Sequence, residues 1–586
     1  MNYTLDSGAG NPAVKRSLMA GLRKLAPVMD GERAGLLQAM VAILINSGAA
    51  LTAPVIISHA IDTSIRQGDR PGLFRWAALA LLIYVFGVVA SYFQVRVMGG
   101  VGRRVLYNLR NALFTKLQQL PVAFFNQNKA GDLISRLNND TDKLNQFVGQ
   151  AMMQFVGSVV LMTGVGIFLL SLNPRLGAAA LIPALGVAII TQLTSGWVSK
   201  RNKQSLQALG GMSAEVQEGL GNFKVIVAFH RTDYFRAKFA VANEKNYDAS
   251  ISAGYANNLF MPLYGLAATM AQLIVIAYGI YLIQSGQTTV GLLVGFLLYV
   301  NSFYGPLRQL ATVWAQFQMA LAGLDRISEV LALESNMPVL PAGAAEGEAV
   351  IEFRGVRFEY PGGKEVLRDV SFALERGKSY ALVGPTGGGK TTAALLMARL
   401  YDPAEGTVLL DGRDIRTYAP EERTRKIGFI LQEPFLFSGT VRDNILYGNG
   451  DFANHTAEQL AKVLEEANLN SLLARFPEGL TTPVTVGGSS ISLGQKQLIA
   501  FMRAVLLKPE LLILDEATAN IDTVTEQLLE EILQKLPAST TKVIIAHRLN
   551  TIDNVDQIFF VNSGGITAAG SMEHAVDLLM HGKRES

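Results

Sequence analysis

The chain has 586 residues, of which 49% are hydrophobic and only 17% are charged, a balance unusual for a water-soluble enzyme. It contains no cysteine, which excludes disulfide bonds, cysteine-liganded zinc, iron–sulfur clusters and cysteine-protease catalysis on this chain. The formal net charge is only +3, so nothing in the charge balance suggests that nucleic acid is a partner.

The N-terminal stretch 1–33 shows no pattern of a secretory signal. Within it, residues 14–30 interleave basic and apolar side chains, which is typical of a helix lying at a membrane surface. A cleaved targeting peptide is the alternative, because this segment contains Arg and Lys and is poor in acids. We predict that 1–33 forms a cytoplasmic or interfacial helix.

Apolar stretches then recur through residues 34–330, and each is long enough for the roughly 20 residues that a helix needs to cross a bilayer. None has an acidic residue in its middle. The six stretches lie at about 34–62, 76–99, 146–172, 176–198, 256–284 and 289–315. They predict a six-helix transmembrane domain over 34–330; buried helices of a large soluble domain are the alternative.

Basic residues are unevenly divided between the two sides of this predicted bundle. The long connections 100–145 and 199–246 hold fifteen Lys and Arg residues, whereas the connections on the opposite side hold four. By the positive-inside rule, the long connections and both termini are cytoplasmic. We therefore expect an integral, multi-pass protein, in the inner (plasma) membrane if the source is bacterial.

A segment rich in Pro, Gly and Ala marks a linker at 331–348, and a second domain is predicted over 349–586. In that domain the short apolar run Tyr380–Val383 predicts a strand, and a helix is predicted over Thr391–Leu400. Between them lies Gly384-Pro-Thr-Gly-Gly-Gly-Lys390-Thr-Thr392, a match to the phosphate-binding P-loop. Strand, glycine-rich loop and helix is the context that such a loop requires.

The chemistry of this loop follows from its residue types. Glycines let backbone N–H groups close around phosphate oxygens, and the following helix presents its positive N-terminal end. Lys390 is placed to reach the β- and γ-phosphates, and the Thr391 hydroxyl to bind Mg²⁺. We predict that the chain binds and hydrolyses ATP with Mg²⁺ as cofactor.

Further motifs follow the loop in a fixed order. They are Gln432, Ile491-Ser-Leu-Gly-Gln495, Leu511-Leu-Ile-Leu-Asp-Glu516 and His547. The run Leu511–Leu514 predicts a buried strand that places Asp515 and Glu516 at its carboxyl end, the edge where ligands bind in α/β sheets. An acid beside a bound metal is suited to polarising an attacking water.

Taken together, these residues resemble the ABC transporter family, in particular the exporter-type half-transporter. The resemblance covers essentially the whole chain and extends to looser patterns in the membrane half, namely Phe124–Arg136, Asp140 and Gly305-Pro306-Leu307. It implies an α-helical six-span transmembrane domain followed by an α/β P-loop NTPase domain, the ABC ATPase. A soluble P-loop ATPase of the chromosome-maintenance kind shares the signature motif and is the alternative from another class.

The resemblance also implies roles for individual residues. Glu516 would polarise the attacking water, His547 would contact the γ-phosphate, and Gln432 would contact metal and water. Asp515 would organise Mg²⁺ through water, together with Thr391 and Gln432. The residues implied to bind ATP are Tyr360, stacking on adenine, with Gly384, Pro385, Thr386, Gly387, Gly388, Gly389, Lys390, Thr391 and Thr392.

In this family the signature motif of one ATPase domain closes over ATP held by the P-loop of another, so one chain is half of a transporter. Here the motif is Ser492, Leu493, Gly494 and Gln495, with Leu493 in place of a glycine, and 486–489 lacks a common acidic residue. The D-loop position Asp522 lies in a segment similar to that of competent subunits in heterodimeric exporters. We favour a heterodimer with a second half-transporter; a homodimer is the alternative.

The resemblance places the contacts between membrane domain and ATPase at about 119–136 and 215–232; a solvated helix face explains the charges of the second segment equally well. The spans carry no central acid or base, which favours an amphipathic or hydrophobic substrate such as a drug, lipid or peptide. We expect export, as a drug exporter or lipid flippase. An importer of the siderophore type is the alternative, and a channel or regulator on the same scaffold a minor one.

Overall fold

The computed structural model describes residues 3–5, 26–341, 343, 347–485, 488, 490–515, 523–545, 555–570 and 574. The described residues fall into two compact units. One combines Met1–Leu5, Gln119–Ala130 and Leu333–Ser586 and is called the ATPase unit. The other combines Asp6–Gln118 and Gly131–Ala332 and is called the membrane unit. The predicted N-terminal helix at 14–30 lies largely outside the described residues, and Ala26–Glu32 is a 3₁₀ helix.

Long helices make up the membrane unit, and one short helix after the second span belongs to the ATPase unit. In chain order the helices are α1 Arg33–Ala60, α2 Arg70–Gln119, α3 Val122–Gln127 (in the ATPase unit), α4 Ala130–Ser135, α5 Thr141–Gln146, α6 Met152–Leu172, α7 Pro174–Gly221, α8 Phe223–Ala228, α9 Thr232–Asn258, α10 Phe260–Gln284 and α11 Val290–Leu331. π-helical turns at Arg136–Asp140 and Phe147–Ala151 join α4, α5 and α6.

Among the residues that the structure describes, six helical segments are long and apolar enough to cross a membrane, which confirms the prediction of six spans. They are Pro27–Ile65, Arg70–Gln119, Ala130–Leu172, Pro174–Gly221, Thr232–Gln284 and Val290–Leu331. The break after α6 has a local cause: Asn173 caps α7 by accepting from the Leu176 N–H, and Pro174 occupies the first turn. Thr289 caps α11 in the same way through the Leu292 N–H.

Apolar side chains on these helices are widely exposed in the single chain. Leu81 is 66% exposed and Leu193 is 77% exposed, although both lie within apolar spans. Helices buried in a soluble domain would cover such side chains with protein. The exposure therefore fits helices whose outer surface is covered by lipid.

A buried arginine ties the segment after α4 to α11 inside the membrane unit. Arg136 is 1% exposed; it donates to Asp132 Oδ2 at 2.9 Å and to Glu329 Oε2 at 2.6 Å. It also donates to the Arg326 carbonyl at 2.7 Å, and the Arg326 side chain pairs in turn with Asp132. A guanidinium removed from water in this way needs all of these partners to offset its lost hydration.

Two sheets form the centre of the ATPase unit. Its strands are β1 Ile351–Tyr360, β2 Lys364–Leu374, β3 Ser379–Val383, β4 Glu405–Leu410, β5 Arg413–Asp414, β6 Ile427–Ile430, β7 Gly439–Thr440, β8 Pro483–Val484, β9 Leu511–Asp515, β10 Thr541–Ile545, β11 Gln557–Asn562 and β12 Gly565–Ala568. The six-stranded sheet has the order β12-β11-β3-β10-β9-β6 and is parallel except for β12. The four-stranded antiparallel sheet has the order β2-β1-β4-β5, and β7 pairs with β8.

The helices of this unit cover the sheets. They are α12 Lys390–Met397, α13 Pro420–Lys426, α14 Val441–Ile445, α15 Ala457–Glu466, α16 Asn470–Leu473, α17 Leu493–Leu506 and α18 Thr523–Gln534. Strands β3 and β9 are buried along their length, which explains their continuous apolar sequence. The predicted fold class, six spans followed by an α/β P-loop domain, is confirmed.

Strand register brings two predicted site segments to one edge of the six-stranded sheet. Ile545 at the end of β10 pairs with Leu382 of β3 on one side and with Asp515 of β9 on the other. The P-loop begins directly after β3. The carboxyl ends of parallel strands share an edge, so Asp515 lies beside the phosphate-binding loop.

Candidate functional site

The glycine-rich loop after β3 has a backbone that side chains would disrupt. Gly384 has φ +148° and Gly389 has φ +116°, values that residues with a Cβ rarely adopt. A Cβ on Gly384 would lie 2.0 Å from the Val561 carbonyl oxygen, and one on Gly389 would lie 2.8 Å from Leu367 Cδ2. Glycine is therefore required at both positions by the packing of this loop against β2 and β11.

Lys390 begins α12 and folds back over the loop. Its Nζ donates to the carbonyl oxygens of Gly384 at 2.8 Å and Pro385 at 3.0 Å, and the residue is only 5% exposed. The ammonium group thus lies inside the curve of the loop. Of the other predicted loop residues, Thr386 and Gly387 are exposed, and Gly388 is buried.

The two threonines after Lys390 have different surroundings. Thr391 is exposed at the start of α12, where its hydroxyl is accessible to a ligand. Thr392 is buried, and its Oγ lies 3.1 Å from the hydroxyl oxygen of Tyr360 at the end of β1. The predicted adenine-stacking residue and the P-loop helix are therefore in direct contact.

Tyr360 is held by two other rings. Its ring centroid lies 4.9 Å from that of Phe358 and 5.5 Å from that of Tyr401, both edge-on at 86°. Tyr360 itself is half-buried, so part of its ring remains accessible. Such an orientation suits an aromatic platform for a base.

Tyr401 was not among the predicted site residues, yet it links Tyr360 to α3. The Asn126 side-chain amide of α3 donates to the Tyr401 hydroxyl at 2.7 Å. Burial raises the pKa of Tyr401, opposed by this hydrogen bond. The contact spans 275 residues of sequence, so no local pattern could reveal it.

The N-terminal residues 3–5 also attach to α3, a second feature that the sequence did not reveal. The Tyr3 backbone N–H donates to Gln127 Oε1, and its hydroxyl donates to Asn336 Oδ1, both at 2.8 Å. Its ring meets Phe124 edge-on at 6.4 Å. The start of the chain therefore packs against both α3 and the linker.

The remaining predicted catalytic and metal residues divide between described and undescribed segments. Asp515 is 3% exposed at the end of β9, and Gln432 is exposed after β6. The hydroxyl of Thr391 and the carboxylate of Asp515 are the oxygen donors that Mg²⁺ prefers. Glu516, Asp522 and His547 lie outside the described residues.

The signature motif caps helix α17. Ser492 Oγ accepts from the Gln495 N–H at 3.2 Å, and Gln495 Oε1 accepts from the Ser492 N–H at 3.0 Å. The Gln495 amide nitrogen donates to the Arg475 carbonyl at 3.1 Å. Leu493 is 43% exposed, so its side chain lies at the surface, and Gly494 is half-buried.

Comparison with known proteins decides the family. One family model, described as the ABC transporter transmembrane region, matches residues 36–307, and another, described as ABC transporter, matches 367–519. The chain is 34% identical, over 97% of its length and 94% of the relative's, to the Bacillus subtilis protein "Uncharacterized ABC transporter ATP-binding protein YfiC". The chain belongs to the ABC transporter family.

Other relatives of this ABC transporter carry more specific names. A "Fatty acid ABC transporter ATP-binding/permease protein" of Mycobacterium bovis is 32% identical over 86% of this chain and 79% of its own length. A "Multidrug resistance ABC transporter ATP-binding and permease protein" of Lactococcus lactis is 32% identical over 85% of this chain and 84% of its own.

These matches confirm the predicted family, fold and ATPase activity. The ABC transporter is an exporter-type half-transporter that binds and hydrolyses ATP, spans the bilayer several times and functions as a dimer. The soluble chromosome-maintenance alternative is wrong, because the match to the transmembrane region covers 36–307.

Proposed function

We propose that this half-transporter exports an amphipathic or hydrophobic substrate from the cytoplasm, powered by ATP at the interface of two ATPase units. The observation that carries the proposal is the P-loop closed around Lys390 beside Asp515, in a chain that also carries six spans. The names of the relatives, multidrug resistance and fatty acid transport, support this class of substrate. The alternative of a siderophore importer gains no support from these relatives.

Within the site, Lys390 binds the β- and γ-phosphates and Tyr360 stacks on adenine. Thr391, Gln432 and Asp515 would hold Mg²⁺, with Asp515 acting through water. When bound, the ion would supply positive charge to neutralise the phosphates in the transition state. Glu516 orients the attacking water and His547 contacts the γ-phosphate, as the order of motifs after β9 and β10 predicts.

Assembly is proposed to involve the exposed end of the membrane unit around α8. Five apolar side chains are widely exposed there: Leu220, Phe223, Val225, Val227 and Phe229. An apolar surface of this kind on a charged cytoplasmic connection is typical of an interaction site. A second half-transporter whose ATPase unit covers α8 would explain it.

We propose a heterodimer, because Leu493 departs from the family's signature motif and is exposed where the motif would face a partner's ATP. The membrane is proposed to be a bacterial inner membrane, as the Bacillus, Mycobacterium and Lactococcus relatives suggest. Copurification from membranes with a tag on this chain tests the assembly. A stoichiometric second half-transporter is expected, and this chain alone as an active dimer would contradict the heterodimer.

Direction is tested in sealed vesicles of defined orientation. Inside-out vesicles given Mg²⁺ and ATP outside should accumulate a fluorescent amphipathic dye, and Lys390→Ala vesicles should not. Accumulation of substrate by right-side-out vesicles loaded with ATP would instead establish import. The matched control is Lys378→Ala, an exposed lysine in the β2–β3 turn of the same unit that pairs with Glu375.

A further inference from the structure

A cavity of about 680 Å³ lies among the spans of the membrane unit, within the size range of small-molecule sites. Eight of its eighteen lining residues carry a carboxamide or hydroxyl group. Its carboxamides are Asn46 on α1, Gln94 on α2, Gln150 and Gln154 in the third span, and Gln309 on α11. We call it the amide cavity.

Carboxamides in an apolar span are unfavourable unless their donors and acceptors are paired. Two pairs of amides elsewhere in the membrane unit satisfy each other in this way: Asn202 and Asn257 exchange two hydrogen bonds, and Gln272 donates to Asn301 at 2.9 Å. In such pairs, amides of neighbouring helices supply each other's donors and acceptors.

The amide cavity differs from this arrangement. Gln154 donates to Gln309 at 2.9 Å, but Asn46, Gln94 and Gln150 form no hydrogen bond with another described residue. Three carboxamides from different parts of the bundle thus direct unused donors and acceptors into one space. A ligand with several hydrogen-bonding groups would satisfy them.

The charge of the lining residues further limits which class of ligand the amide cavity can bind. Of the described residues, none of the eighteen that line the cavity is Asp, Glu, Lys or Arg, so among them an ionised ligand would lose hydration without finding a counter-ion. The other lining residues include Ile43, Val95, Met98, Met153 and Leu161, which offer apolar contact. The walls therefore suit a molecule that is amphipathic and neutral.

The position of the cavity agrees with uptake from the cytoplasm. In the predicted orientation, three apolar stretches carry amides near their cytoplasmic ends: Gln94 in 76–99, Gln150 and Gln154 in 146–172, and Gln309 in 289–315. Asn46 alone lies near the middle of its span. A ligand entering from the cytoplasmic side would meet these amides first.

We propose that the amide cavity is a substrate site selective for uncharged amphipathic molecules with several amide or hydroxyl groups. This inference rests on the proposed function as an exporter and specifies its substrate class. A free fatty acid, as an anion, is predicted to be a poor ligand of this chain, in contrast with the name of the mycobacterial relative.

Two probes that differ by one charge test the selectivity. They are an N-octanoyl peptide of two alanines and a serine with a C-terminal amide, and the same peptide with a free carboxylate. Binding is measured by calorimetry without nucleotide, on the full chain in lipid nanodiscs with whichever half-transporter copurifies. We expect the amide to bind at least tenfold more tightly than the carboxylate. Equal affinities, tighter binding of the carboxylate, or no binding of either would overturn the proposal.

Substitutions of the lining residues test whether the amide peptide binds in the amide cavity. Asn46→Leu and Gln94→Met should each weaken binding of the amide peptide about three- to tenfold, the range expected for one lost neutral hydrogen bond. Gln38→Met is the matched control, since Gln38 is an exposed glutamine of α1 that does not line the cavity. Unchanged binding in both cavity variants would contradict the assignment.

A variant that gains affinity for the carboxylate peptide controls for misfolding, because a misfolded protein would lose binding and not gain it. Gln94→Lys places a cation in the cavity and should bring the carboxylate peptide to at least the affinity of the amide peptide. Arg308 adjoins Gln309, and its side chain lies outside the described residues; Arg308→Gln should leave the amide preference intact. Loss of that preference in Arg308→Gln, or an unaltered preference in Gln94→Lys, would count against the proposal.

The calorimetry does not depend on ATP hydrolysis. A negative result for substrate selectivity can therefore be told apart from a negative result for the exporter function. ATPase activity with no preference for the amide peptide would refute the substrate class alone. Absence of ATPase activity in the copurified complex would refute the proposed function itself.

Discussion

The Asn126 side-chain amide donates a 2.7 Å hydrogen bond to the Tyr401 hydroxyl, and the Tyr401 ring lies edge-on to Tyr360 at 5.5 Å. Tyr360 in turn contacts Thr392 in the first turn of the P-loop helix. Helix α3, which directly follows the second span, is therefore connected to the ring predicted to stack on adenine. Nucleotide binding at Tyr360 has a physical route to α3 through Tyr401.

The first prediction concerns this route. Tyr401→Phe keeps the ring beside Tyr360 but removes the hydroxyl, so ATP affinity should change less than threefold while substrate stimulation of ATPase falls. Tyr360→Ala should instead weaken ATP binding itself, by roughly five- to a hundredfold, as expected for a lost base–aromatic stack. Fluorescent-nucleotide binding and ATPase assays with and without substrate separate the two effects.

Asn126→Ala, alone and combined with Tyr401→Phe, tests whether Asn126 and Tyr401 are coupled. If Asn126 and Tyr401 act through their shared hydrogen bond, the double variant should lose no more stimulation than either single variant. Losses that add would show that the two residues act independently.

The second prediction concerns the loop glycines. Gly384→Ala should abolish ATP binding, because its Cβ would lie 2.0 Å from the Val561 carbonyl oxygen and the backbone has φ +148°. The matched control is Gly363→Ala in the β1–β2 turn, with φ +83° and no atom within 4 Å of the added Cβ. The readout is the rise in Tm on adding ATP: it should vanish in the first variant and persist in the second. A normal rise in Gly384→Ala would refute the loop geometry.

The third prediction concerns the buried guanidinium of Arg136. Arg136→Met leaves Asp132 and Glu329 without their shared cation, and removing one partner of a buried ion pair costs about 3–5 kcal/mol. Arg33→Met, which breaks an exposed pair with Asp30, should cost at most about 1 kcal/mol. Thermal unfolding in detergent compares the two variants, and equal losses of stability would argue against a structural role for the Arg136 cluster.

The fourth prediction concerns acid stability of the ATPase unit. Burial raises the pKa of Glu510, but hydrogen bonds from Lys426 and Arg376 outweigh this, so the net pKa lies below its usual value. A lowered pKa means that the ionised carboxylate stabilises the fold above the pKa of the unfolded chain, about 4.3. This stabilisation is lost as pH falls through the lower, folded-state pKa.

Glu510→Gln should therefore lower Tm at pH 7, and its difference from the unmodified chain should shrink as the pH falls below about 4. Glu531→Gln, an exposed glutamate of α18, should leave Tm nearly unchanged across the range. Thermal unfolding of the full chain between pH 3 and pH 7 provides the measurement. A constant difference at all pH values would show that Glu510 acts through packing and not through its charge.

Much of the fold could be predicted because its signals are local. Apolar runs of sufficient length identify six spans, and the strand before Gly384 and the run before Asp515 identify two neighbouring parts of one sheet edge. The glycine pattern likewise predicts a loop whose φ values exclude side chains.

The parts that could not be predicted depend on contacts between distant segments. Asn126 with Tyr401, Tyr3 with Asn336, and Arg136 with Glu329 join residues 193 to 333 positions apart, and each residue type is common on helix surfaces or in loops. The amide cavity is similar, since its five carboxamides come from four spans and only the packed bundle brings them together. The roles of Glu516, Asp522 and His547 stay predictions from motif order.

The most direct test of the central claim is Mg²⁺-dependent ATPase activity in lipid, measured on the copurified complex with and without Glu516→Gln in this chain. We predict sustained hydrolysis that falls at least a hundredfold in the variant, while ATP still raises the Tm of the variant. Hydrolysis that continues unchanged in Glu516→Gln would contradict the assignment of this chain's P-loop side as the catalytic site.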